Sequence, residues 1–174
     1  MISAIVCVDQ NFGIGNNNNL LAHIPEDMKF FRQQTDDSIV IMGRKTYDSL
    51  PTKPLPNRTN IVITSNTALE STGDTIFSSM EYIKNWLFNQ RNATRDNRDV
   101  YVIGGGQIYK ELLPYCDCIY LTKVFHSYDN VDTYFPNINK DEWMLGFASE
   151  VKEHNGIKYQ FLRYYRIKDY KLEG

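Results

Sequence analysis

Four short stretches, residues 2–8, 38–43, 60–65 and 100–104, each contain at least three apolar residues in succession rather than at alternate positions. Their valines and isoleucines favour extended backbone, and an unbroken apolar run has no face to offer water. Each therefore reads as a strand buried on both sides, which needs helices above and below it. Between the runs lie helical patterns. Pro25 suits a first turn, Glu26 and Asp27 complement the positive helix end, and Met28, Phe30 and Phe31 supply an apolar face through Gln34. Met80, Ile83, Trp86 and Leu87 share a stripe over residues 80–88, and residues 107–113 are helical. Residues 75–77 form a short strand. Residues 119–125, 148–153 and 159–168 read as later strands, the last two bracketing the Asn155-Gly156 hairpin signal. Residues 9–19 and 89–99 are polar connections with neither helix nor strand. The pattern predicts an α/β fold: a mostly parallel central sheet, helices on both faces and an antiparallel C-terminal edge hairpin, in one domain spanning 1–174.

Composition narrows the chemistry. With 174 residues, 42% hydrophobic and 23% charged, the chain can build a core without a metal or disulfide. A net charge of −2 gives no field that would gather nucleic acid, so any bound anion must be held by local residues. The three cysteines, Cys7, Cys116 and Cys118, lack metal or redox spacing. Cys116 and Cys118 read as reduced core residues on one face of a strand. The N-terminus lacks the basic and cleavage regions of a signal peptide, and no apolar stretch is long enough to span a membrane. The expectation is a cytoplasmic protein that binds neither nucleic acid nor membrane.

Three strand ends run into small or polar turns: Gly43-Arg44-Lys45-Thr46, Thr64-Ser65-Asn66 and Gly104-Gly105-Gly106. In an open α/β sheet these ends form the ligand crevice, where glycine lets backbone approach a phosphate. The alternative is that the glycines serve only tight turns. The Gly43 turn is not a P-loop, and after Gly104-Gly105-Gly106 Tyr109 stands where a GxGxxG motif needs its third glycine. Asp27 shares a helical face with Phe31, so its carboxyl is either a partly desolvated acid or a complement to the helix dipole. Thr122, within an apolar strand, needs a partner, which is Asp27 or a neighbouring backbone group. Arg58 either grips a carboxylate or is solvated. His23, His126 and His154 have no metal spacing, and no metal site is expected.

Taken in order, these segments resemble dihydrofolate reductase. The resemblance rests on residues 11–15 (NFGIG), 25–31 (PEDMKFF), 41–46 (IMGRKT), 55–58 (LPNR), 102–109 (VIGGGQIY), 120–122 (YLT) and 132–136 (DTYFP). It implies hydride transfer from NADPH to C6 of 7,8-dihydrofolate with protonation at N5. Asp27 matches the family's active-site carboxylate and Thr122 its hydroxyl partner. On the substrate side the match covers Ile5, Met28, Phe31, Leu50, Leu55, Arg58, Ile103 and Tyr109. Within it Arg58 corresponds to the clamp on the glutamate α-carboxylate, and the Ile5 and Ile103 carbonyls accept the pterin amino group. On the cofactor side it covers Cys7, Ile14, Gly15, Leu20, Gly43, Arg44, Lys45, Thr46, Thr64, Ser65, Gly104, Gly105, Gly106, Gln107 and Ile108. There Arg44, Thr64 and Ser65 match the 2′-phosphate side, and the Gly104–Gly105 peptide is expected to be cis. Residues 13–24 match a mobile lid and Asp132 the distant loop that latches it.

One departure stands out. The family usually carries Pro-Trp in the lid, where this chain has Leu21-Ala22. Loss of the indole predicts a weaker ordered-water network and altered lid closure. The resemblance implies a monomer acting on a small molecule. A reductase of the same fold acting on another pterin or a pyrimidine would not need Arg58. A non-catalytic nucleotide-binding module would need neither Asp27 nor a lid.

Overall fold

The computed structural model describes residues 1–17, 19–66, 68–92 and 97–167. In chain order its strands are β1 (Ile2–Val8), β2 (Gly13–Asn16), β3 (Asn19–Leu20), β4 (Ile39–Gly43), β5 (Thr59–Ile63), β6 (Thr75–Ser78) and β7 (Val100–Gly104). They continue as β8 (Cys118–Val124), β9 (Thr133–Tyr134), β10 (Trp143–Ala148), β11 (Lys152–His154) and β12 (Ile157–Arg166). The helices are α1 (Pro25–Gln34), α2 (Arg44–Ser49), α3 (Met80–Asn92) and α4 (Gly106–Leu112), with a 3-10 turn at Leu113–Tyr115.

The main sheet runs β10-β12-β8-β1-β7-β4-β5-β6, with β11 paired to β12. From β8 to β6 every neighbouring pair is parallel, while β12 meets β8 and β10 antiparallel. This is the expected sheet with its antiparallel edge. The consecutive apolar positions divide between two faces, as period-two side chains must. On one face Ala4, Val6, Ile41, Val102 and Leu121 pack with α3 and α4 through Ile83, Leu87, Ile108 and Leu112. On the other, Ile5, Val40, Met42 and Tyr120 meet Phe30 and Phe31 of α1 and Tyr47 of α2.

Four expectations need correction. Residues 9–19 do contain strands: β2 pairs with β3 and, from far along the chain, with β9. Local glycine and asparagine content could not reveal that distant partner. The strand expected over 148–153 is two strands, β10 and β11. Ser149 breaks it, because its Oγ accepts from Phe161 N at 3.0 Å and its carbonyl accepts from the Gln160 side chain. Helix α3 runs a turn beyond Phe88, since residues 89–92 contain no helix breaker. Cys116 and Cys118 do not share a face: Cys116 follows the 3-10 turn and packs with the α3/α4 side, Cys118 with the α1 side. Residues 93–96 of the expected 89–99 connection, Asn18 of the lid and Lys168 at the end of the last expected strand lie outside the described residues.

Candidate active site

Helix α1 opens without a side-chain cap, relying on Pro25 and its two acidic residues, and those residues divide their work. Glu26 faces outward and is bound by the Tyr159 hydroxyl and by Lys152, at 3.0 Å for the latter. Asp27 turns inward onto the sheet. There the Thr122 hydroxyl donates to its Oδ1 at 2.6 Å. Cys7 on β1 is the register partner of Thr122 on β8, so both side chains leave the same face toward this carboxyl. Burial raises the Asp27 carboxyl above the ordinary carboxylate value, and hydrogen bonding from Thr122 and Cys7 pulls it partly back. Burial and the Asp27 charge push the Cys7 thiol up. Of the two roles open to Asp27, the structure gives it that of the desolvated acid, and Thr122 is satisfied by Asp27.

Apolar walls continue from this carboxyl along α1. Phe31, Leu50, Leu55 and Ile103 all pack on the cluster containing Ile5. Tyr109 lies behind it, fully buried, its hydroxyl donating to the Ile5 carbonyl at 2.8 Å. Arg58 is 7% exposed, which excludes the solvated alternative. Its Nε donates to the Thr35 carbonyl and hydroxyl, Nη1 to the Pro56 carbonyl and Nη2 to the Arg32 carbonyl, at 3.0–3.2 Å. Three of its five N–H donors are thereby fixed and the fork is oriented by backbone. Met28 is 39% exposed at the rim of this wall.

At the adjoining strand ends, Gly43 stands opposite Ile63 and Met42 opposite Gly104, so the three predicted turns meet at one edge of the sheet. The Gly104–Gly105 peptide is cis, as expected. Gly104 has φ +114°, and a Cβ there would lie 2.9 Å from the Tyr109 ring, so two independent reasons require glycine. The Thr46 hydroxyl stands 3.6 Å from where a Gly105 Cβ would be, and Ile108 stands 3.0 Å from the same point on Gly43. Arg44 pairs with Asp48 at 3.0 Å and lies over the Phe77 ring. Lys45 and Ser65 are exposed, and the Thr64 hydroxyl accepts from Asn66 N. The Gln107 side chain turns to Glu111, which leaves its backbone as the part nearest the turn.

Residues 13–15 and 20–22, within the segment expected to be a lid, reach this edge from the other side. Ile14 approaches the Gly106 position and Gly15 pairs with Thr133. Leu20, 69% exposed, lines a cavity of about 10 Å³ with Cys7, Ile14, Leu21 and Ala22, room for a single water. Asp132 Oδ2 accepts from Asn17 N at 2.8 Å, and its own N–H reaches the Gly15 carbonyl.

Comparison with known proteins decides what this arrangement belongs to. The family model for dihydrofolate reductase matches residues 1–166. The chain is 36% identical to the dihydrofolate reductase of Bacillus subtilis (strain 168) over 176 residues, covering 100% of this chain and 99% of that protein. It is 39% identical to the Haemophilus influenzae dihydrofolate reductase over 162 residues, covering 92% and 95%. The chain belongs to the dihydrofolate reductase family. Its fold matches that of the dihydrofolate reductase from Enterococcus faecalis complexed with NADP(H) and RAB-propyl, with a TM-score of 0.80, 29% identity and 97% of both chains covered.

Within this dihydrofolate reductase fold, one buried carboxylate stands apart from the residues that the sequence singles out. Asp9, 2% exposed, accepts backbone hydrogen bonds from Asn11, Gly13 and Tyr128. Aspartate two residues ahead of Asn11 is a local turn signal. Its third donor, more than a hundred residues on, was not legible. No helix among the described residues is long and apolar enough to cross a membrane.

Proposed function

We propose that the chain catalyses NADPH-dependent reduction of 7,8-dihydrofolate to 5,6,7,8-tetrahydrofolate. It does so as a monomeric, single-domain enzyme of the cytoplasm. The observation that carries the reading is the inward Asp27 carboxyl, held by Thr122 at the end of an apolar wall. A carboxyl in that setting presents two oxygens to the amino-pyrimidine edge of a pterin, and desolvation strengthens those hydrogen bonds. The Ile5 and Ile103 carbonyls offer acceptors on the same side. Phe31, Leu50 and Leu55 enclose the flat ring system and the benzoyl group, with Met28 at the mouth. Arg58, with two N–H donors left after its backbone bonds, binds the glutamate carboxylate. Asp27, held by Thr122, Cys7, helix and sheet, binds the amino-pyrimidine edge and supports protonation at N5 through ordered water.

The residues present fit a dinucleotide phosphate. Gly43 and Gly104–Gly106 bare the backbone where side chains would otherwise fill the edge, and Thr46 lines the gap. Lys45, Thr46 and the Gly104–Ile108 turn would hold the pyrophosphate, with Gln107 contributing backbone. Arg44, Thr64 and Ser65 would hold the 2′-phosphate, and Cys7, Ile14, Gly15 and Leu20 would flank the nicotinamide. When bound, NADPH supplies the hydride. Residues 13–24 act as a lid that excludes water from the reacting ring, and Asp132 latches it.

The test is spectrophotometric: oxidation of NADPH followed with dihydrofolate, with a pterin lacking the glutamate tail, and with NADH replacing NADPH. Turnover that requires dihydrofolate and prefers NADPH is expected. Turnover of the tailless pterin at equal efficiency would favour a different substrate.

A further inference from the structure

Asp9 is a buried carboxylate that the reaction itself does not use, and its two oxygens are sorted by loop. Oδ1 accepts from Asn11 N at 2.8 Å and Gly13 N at 2.7 Å, both at the root of the lid. Oδ2 accepts from Tyr128 N at 3.3 Å, on the segment that runs on to the Asp132 latch. The space above Oδ1 exists because residue 13 is glycine: a Cβ there would lie 3.0 Å from Oδ1 and 2.7 Å from Val131 Cγ1. Asp9, Gly13 and Val131 thus form one packed unit joining the two segments. Further along, Phe135 N donates to the Phe12 carbonyl, and Asp132 N to the Gly15 carbonyl. Charge-assisted bonds from backbone N–H are among the stronger ones, and a donor left facing another donor in a buried place is costly.

We propose that Asp9 is a positioning residue for the lid. It registers β2 against residues 128–135, so that the Asp132 latch and the cofactor face of Ile14 and Gly15 arrive together. This rests on the lid reading given above. The substitution Asp9→Asn tests it selectively. Its Oδ1 keeps the local turn, while its Nδ2 replaces Oδ2 and points a donor at the Tyr128 N–H.

The experiment compares the full-length parent with Asp9→Asn, Gly13→Ala and Asp132→Asn. It measures NADPH affinity by fluorescence titration, amide hydrogen exchange of the protein alone, and Tm. Asp9→Asn is expected to weaken NADPH binding about tenfold, the equivalent of one lost charge-assisted bond. The Asp132 and Phe135 amides should exchange faster together with that of Tyr128, while β4 and β7 keep their protection. Unchanged NADPH affinity, faster exchange confined to Tyr128, or loss of protection throughout the sheet would each overturn the proposal. If Asp9→Asn does not fold, Gly13→Ala decides. It crowds Val131 and Asp9 without removing the carboxylate, and should reproduce the weaker binding and paired exchange, unchanged values counting against the clamp. Asp132→Asn separates the two claims. If it leaves NADPH affinity intact, the lid reading fails. If it weakens binding while Asp9→Asn does not, the Asp9 proposal fails alone.

Discussion

Thr122 on β8 and Asp27 on α1 stand 95 residues apart in the chain and meet in a 2.6 Å hydrogen bond. The bond ties the inward acidic residue of α1 to the sheet, while Glu26 faces outward to Tyr159 and Lys152. Desolvation and hydrogen bonding oppose each other at Asp27, and desolvation wins, leaving the carboxyl above its ordinary value.

That balance makes stability depend on pH. The folded state keeps the Asp27 proton to higher pH than the unfolded chain does. The stability it contributes is therefore complete below the unfolded value of about 4 and is lost as pH rises through the folded one. Asp27→Asn cannot ionise, yet it still accepts from Thr122. The variant should match the parent's Tm near pH 3 and exceed it by a few degrees at neutral pH. Thermal melts across pH test this, and an advantage that shrinks as pH rises contradicts it.

Arg58 is fixed by backbone carbonyls and also faces substrate in the proposed reading. Arg58→Lys loses the planar fork, so the variant should lose about 1.5–3 kcal/mol of stability, the worth of a bond to a charged group. Its KM for dihydrofolate should rise at least about tenfold, the scale of one bidentate contact, with little change for a tailless pterin. Steady-state kinetics on the two substrates and a urea melt measure both parts. Equal losses on the two substrates would remove Arg58 from the tail site.

Arg44 now holds Asp48, a partner it can exchange for a phosphate at the strand edge. Arg44→Ala should raise KM for NADPH about tenfold to a hundredfold while leaving NADH nearly unchanged, because only NADPH carries the 2′-phosphate. A parallel loss with both cofactors would place Arg44 elsewhere.

Much of this was readable from residue order. Consecutive apolar runs mark β1, β4, β5 and β7, and the glycine and hydroxyl turns mark the edge where three of them end. Asp27 and Thr122 stood out because a carboxyl and a hydroxyl in apolar surroundings need each other. What escaped was pairing at a distance. Strand β2 takes one of its two partners from residues 133–134, and β10 ends where Ser149 bonds across to Phe161. The second oxygen of Asp9 is answered by Tyr128. In each case the deciding partner lies elsewhere in the chain, and local composition carries no trace of it.

Ala22, Cys7 and Tyr128 pack on the cluster of Ile24, Val124 and Tyr159 and line the small cavity beside residues 20–22. Ala22→Trp would return an indole N–H and apolar cover to that place. Binding of dihydrofolate and of a pteridine antifolate should tighten by about three- to tenfold, in line with an added aromatic contact. Isothermal titration of parent and variant measures it, and unchanged affinities would show that the missing indole has no bearing on this lid.

The most direct measurement of the account is single-turnover hydride transfer in Asp27→Asn at neutral pH, with NADPH affinity determined in parallel. The rate should fall by about 10² to 10⁴, the range for a positioned proton-transfer group, with NADPH affinity unchanged. A rate within twofold of the parent would contradict the role assigned to Asp27.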